Sequence, residues 1–165
     1  MGQDVARVIG IGREIAGDDG VGPAVVRALQ AMGAPPGVAW HPACEPTAII
    51  PLLETTAPVI LVDAVVGAAP GQVLVLTPEE LEGHGVAPLS SHGVGVVQAI
   101  ALARILAPDA VTARLHLVGI AIPPPTAAAP RPTDQPPPWL SPPVAAALPL
   151  AAQAVLRLLE DAPHA

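Results

Sequence analysis

The spacing of apolar positions changes along the chain and marks out alternating strands and helices. Ala6-Arg-Val-Ile-Gly-Ile-Gly12 is a short β-branched run bounded by glycine, which predicts a buried strand. A polar loop follows from Arg13 to Gly20. Val21, Val25, Val26, Leu29 and Met32 then recur at helical spacing, with Pro23 near the start and Gly33 just past the end. A short strand is expected over Val38–His41, and a short helix over Thr47–Leu53, weakened by Pro51. Ala57-Pro-Val-Ile-Leu-Val-Asp-Ala-Val65 is almost wholly apolar and broken by one Asp, the pattern of a central parallel strand covered on both faces. Gln72–Thr77 reads as an edge strand, and Arg114–Ile122 as a further strand. Ser90 or Ser91 is expected to cap a helix from His92 to Leu106, which ends before Pro108. Pro123–Pro138 has neither period and reads as a Pro-rich loop, with the proline excess continuing to 143. Ser141-Pro-Pro opens a last helix with Val144, Leu148, Val155, Leu158 and Leu159 on one stripe and a kink at Pro149.

Alternation of strands and helices predicts an α/β fold. The expected form is a three-layer sandwich with a mostly parallel twisted sheet of about five strands and helices on both faces. Residues 1–165 show no internal repeat or linker, so one domain is expected. At that length roughly 70% of the chain's surface can be buried on folding. The uncharged stretch from Gln135 to Leu156 is long enough to raise a membrane span, but its six prolines argue for a loop followed by a helix.

Composition removes several functions. Lys, Asn, Phe and Tyr are absent, and all four are encoded by A/T-rich codons, which points to a GC-rich genome rather than to a demand of the fold. Seven Arg stand against seven Asp and seven Glu, a net charge of −7, which argues against nucleic-acid binding. The single Cys44 excludes an intrachain disulfide and a Cys-based zinc site, and reads as a small buried hydrophobe. Three Ser and no G-x-S-x-G elbow leave no serine-hydrolase pattern. Gly10-Ile-Gly12 has its next Gly at 17, which breaks the dinucleotide-binding spacing. The first residues lack a signal-peptide pattern, so a cytoplasmic protein is expected.

Three polar features fall where strands of an open α/β sheet lead into helices, the usual place for a ligand. They are Gly17-Asp-Asp-Gly20, Asp63 near the end of its strand, and Ser90-Ser-His-Gly93. Two carboxylates and an imidazole on one rim suit a divalent transition metal such as nickel, zinc or manganese. The plain alternatives are that Asp18 and Asp19 cap the first helix and that His92 belongs to a cap. Asp63 is harder to set aside, because a buried carboxylate is costly unless paired or coordinated. Arg13 and Glu14 either line the site or form a surface pair.

Val8-Ile-Gly-Ile-Gly12 followed by Gly17-Asp-Asp-Gly-Val-Gly22 resembles the opening of the hydrogenase maturation endopeptidases. Leu61-Val-Asp-Ala-Val65 with Pro70-Gly71, Ser90-Ser-His-Gly-Val-Gly95, Leu117-Val-Gly-Ile120 and Leu140-Ser-Pro142 resemble that family's later motifs in order, and Glu45-Pro-Thr47 resembles a segment of some members. The resemblance implies removal of a C-terminal extension from the large-subunit precursor of a [NiFe] hydrogenase after nickel insertion. It implies Asp19, Asp63 and His92 as nickel ligands and catalytic residues, with the nickel supplied by the precursor and no organic cofactor. Asp18 would cap or support Asp19. The expected partner is that precursor, with no nucleic acid and no membrane, and the chain is expected to be a monomer. One position departs from the family, which usually carries Asn where this chain has Arg13. The rival readings are an α/β hydrolase carrying its own zinc and a non-catalytic nickel-checking chaperone.

Overall fold

The computed structural model describes residues 5–33, 35–83, 85–88, 94–124 and 134–162. Strands β1 (Ala6–Ile11), β2 (Val38–Ala43), β3 (Val59–Val66), β4 (Val73–Leu76), β5 (Ala87–Pro88) and β6 (Leu115–Ala121) form one sheet. The order β2-β1-β3-β6-β4 places β3 at the centre. β1, β2, β3 and β6 are mutually parallel, whereas β4 pairs antiparallel with β6 at one edge. The expected α/β sandwich is therefore present, with six strands instead of about five. The additional one, β5, pairs Ala87 and Pro88 with Val66 and Val65, beyond the point where β1 leaves β3. Two residues are too few for a period to announce.

Alternation along the strands divides the core. Val8, Ile60, Val62, Val118 and Ile120 point to one face, where helices α1 (Val21–Ala31) and α4 (Pro142–Glu160) cover them. Ile9, Leu61, Val65 and Leu117 point to the other, under α3 (Val96–Leu106) and a 3-10 segment, Pro46–Leu53. The latter is the short helix expected over Thr47–Leu53, held to 3-10 geometry with Pro51 inside. The short helix α2 (Pro78–Gly83) starts at a reciprocal capping box: the Thr77 N–H donates to Glu80 Oε2 at 2.8 Å, and the Glu80 N–H donates to Thr77 Oγ1 at 3.3 Å.

Two expectations about helices need correction. α3 begins at Val96 with extended Gly95 as its N-cap, four residues later than expected. Glycine is a poor helix former, and the extended Gly95 is where the helix starts. Ser90, Ser91 and His92 lie outside the described residues. Met32, expected on the apolar stripe of α1, sits at its C-cap and is exposed. α4 runs on through Pro149, which lies on an exposed face beside water. Its stripe of Val144, Ala147, Ala151, Val155 and Leu159 is buried, which makes it a layer of the core although it is long and apolar enough to span a membrane.

Candidate functional site

The carboxyl ends of β1 and β3 carry the two acidic positions singled out in the sequence. After β1 the chain turns at Gly12, whose φ of +130° few side chains tolerate. A Cβ there would strike the carbonyl oxygen of Asp19. The strand end thus presses directly on the turn that holds Asp19, a 3-10 turn over Gly17–Gly20. Gly22, in the first turn of α1, packs as closely, since a Cβ there would meet the carbonyl oxygens of Ile11 and Val62. These glycines let α1 and the Asp19 turn sit on the ends of the two strands.

Asp63 is 1% exposed, in the stretch of β3 past its pairing with β1. Its register partner on β6 is Gly119, which brings no side chain beside it. Oδ1 accepts the Ala64 N–H at 2.8 Å, while the buried Oδ2 has no hydrogen-bond partner among the described residues. Burial, foremost, pushes this carboxyl well above its ordinary range. The Ala64 hydrogen bond acts the other way, and the nearby charge of Asp19 adds to the rise. The structure therefore brings Asp19 and Asp63 into electrostatic contact on one rim.

Asp19 Oδ2 accepts the Arg13 backbone N–H at 3.0 Å and Arg13 Nε at 3.3 Å. Arg13 thus lines the site, and Glu14 pairs instead with Arg27 of α1. Neither Asp18 nor Asp19 is the N-cap of α1, which is Gly20, a residue with no side chain to supply a capping hydrogen bond. Asp18 turns away: its Oδ1 accepts the N–H of Ser141, 123 residues on, at 2.6 Å. That bond ties the start of α4 to the turn carrying Asp19. Neither contact of Asp18 nor that of Arg13 has a local sequence signal, because both depend on how the β1–α1 loop folds back.

Among the described residues no three of His, Cys, Asp or Glu gather at metal-binding distance. His92, the third expected ligand, lies outside them. Val96, four residues after it, packs on the same sheet face that alternation assigns to Asp63. Cys44 is exposed at the end of β2, contrary to the buried position expected for it, because apolar neighbours stop at Ala43. An open depression lined by Glu54, Asp109, Thr112 and Arg114 lies at the opposite, amino-terminal end of β3 and β6 and buries no carboxylate.

A family model described as hydrogenase maturation protease matches residues 23–158 of the chain. The match takes in Asp63 and position 92 and begins after Asp19. No curated protein sequence matches the chain. Among solved structures, the chain is similar to the [NiFe] hydrogenase maturation protease HybD from Thermococcus kodakarensis, with TM-score 0.69 and 18% identity over 93% of this chain and 98% of that one. It is similar to the hydrogenase maturating endopeptidase HybD from E. coli, with TM-score 0.69 and 23% identity over 94% and 92%. It also resembles the hydrogenase 2 maturation peptidase from Thaumarchaeota archaeon SCGC_AB-539-E09, with TM-score 0.58 and 27% identity over 93% and 97%.

Proposed function

This chain belongs to the hydrogenase maturation protease family, and from that premise we propose that it removes the C-terminal extension of a [NiFe] hydrogenase large-subunit precursor after nickel insertion. The nickel is part of the substrate, and Asp19, Asp63 and His92 engage it. No organic cofactor takes part. The whole of 1–165 acts as one domain, a cytoplasmic monomer working without membrane or nucleic acid.

The observation that supports this reading is Asp63 Oδ2, a buried carboxylate oxygen with no partner among the described residues and with a second carboxylate nearby. A divalent cation would satisfy that oxygen and offset the repulsion between Asp19 and Asp63. Its charge would also draw Asp63 back to the ionised form. Held by Asp19, Asp63 and His92, the precursor's nickel would position the scissile bond near the rim and supply Lewis-acid polarisation of its carbonyl. Asp19 or Asp63 takes a proton from a water whose oxygen bonds to the scissile carbonyl carbon. The C–N bond breaks and the proton passes to the leaving amine. This makes the enzyme an endopeptidase of aspartic type, with nickel used for recognition.

The test is cleavage of a candidate precursor with and without nickel, read by mass spectrometry. Asp19→Asn, Asp63→Asn and His92→Ala are each expected to slow processing by about 100-fold or more while circular dichroism stays unchanged. Full activity in any two of them overturns the site. Equal cleavage of the nickel-free precursor overturns the role of nickel. Stoichiometric zinc in the purified protein would favour a resident metal, and precursor binding without cleavage would favour a chaperone.

A further inference from the structure

Asp19 already has a cationic partner. Arg13 reaches Asp19 Oδ2 twice, through its backbone N–H at 3.0 Å and through Nε at 3.3 Å. The Asp19 side chain is 15% exposed and that of Arg13 is 52% exposed. A guanidinium stays protonated at any physiological pH, so this positive charge is permanent. It sits on the rim where the charge of Asp19 also reaches Asp63.

We propose that Arg13 is a built-in counter-charge that keeps stray divalent cations off Asp19 and gives way only to nickel delivered inside the precursor. The proposal rests on the reading of Asp19 and Asp63 as the nickel-engaging pair, and it adds how that pair chooses between free and protein-held metal. A cation that coordinates Asp19 Oδ2 has to displace Nε, and it meets an adjacent like charge. A free aqueous ion has only the carboxylates to compensate for this and for its own dehydration. A precursor brings its whole docking interface, so protein–protein contacts can drive the displacement. The Arg13 side chain is half in water, so displacing it from Asp19 exposes little of the core. The backbone N–H of Arg13 keeps its hold on Asp19 whatever side chain stands at that position.

Arg13→Gln removes the charge and leaves that N–H in place, while Arg13→Lys keeps a charge. Titration calorimetry with nickel chloride at low ionic strength compares wild type, both variants, Asp63→Asn, and Asp63→Asn combined with Arg13→Gln. Arg13→Gln is expected to bind nickel on the order of tenfold more tightly than wild type. Arg13→Lys should stay near wild type, and the gain should shrink as salt is added. In the processing assay, free zinc should inhibit Arg13→Gln at concentrations that leave wild type unaffected. If Arg13→Gln binds nickel equally or less well while Asp63→Asn still weakens binding, Arg13 merely orients Asp19 and the proposal is overturned, with the site reading intact. If nickel binding is undetectable in both wild type and Arg13→Gln, or Asp63→Asn makes no difference in the Arg13→Gln background, the site reading fails and the proposal with it.

Discussion

Asp63 shows the conflict between stability and function within one side chain. Its folded carboxyl is held above the ordinary value by burial, so between those two values the folded state binds more protons than the unfolded state. The contribution of this group to stability is fully present below the ordinary carboxylate value and is lost as pH rises through the folded value. Asp63→Asn removes an ionisable group that is buried with one oxygen unpartnered. The variant should therefore melt higher than wild type at neutral pH, by about 2–4 °C for each kcal/mol relieved. The gap should close on acidification, which thermal melts across a pH series would measure. A variant that melts lower at pH 7 and stays lower in acid would contradict the assignment. The sequence marked Asp63 because an acid inside Val-Ile-Leu-Val-Asp-Ala-Val is expensive to bury. It offered no such signal for Arg13, whose partner is set by a turn rather than by spacing.

At the level of elements, the site depends on how tightly α1 and α4 are seated. Gly22 touches the backbone of β1 and β3 together, so a side chain there separates helix from sheet. Gly22→Ala is expected to cost about 1–3 kcal/mol, seen as a lower denaturation midpoint. Asp18 and Ser141 tie α4 to the Asp19 turn. Asp18→Ala should destabilise by about 1.5–3 kcal/mol, as for a hydrogen bond to a charged group, and Asp18→Asn by less, because it keeps an acceptor. Ser141 has φ −64° and ψ 154°, so Ser141→Pro fits the backbone while deleting the N–H. In an Asp18→Ala background it should add little, as a double-mutant cycle in urea would show. Most strands and helices were legible from their periods. The start of α3 was misplaced because capping serines suggested an earlier start, whereas Gly95 is extended and the helix begins at Val96.

Over the whole molecule, two helix layers on a central sheet explain why so apolar a chain forms a core. α4 packs its stripe against α1 and β6, so Ala151→Asp should unfold the protein and send it to the pellet. Wild type should remain in the supernatant after high-speed centrifugation without detergent, and a detergent requirement would contradict the core role of α4. The sequence by itself determined the fold class, the central strand and the acidic positions at the strand ends, because periodicity, glycine and one misplaced carboxylate are local facts. Only the tertiary structure decided that Arg13 pairs with Asp19 and that Asp18 holds α4 instead of capping α1. Each of those pairings joins segments brought together by loop geometry and sheet order, and neither leaves a period along the chain.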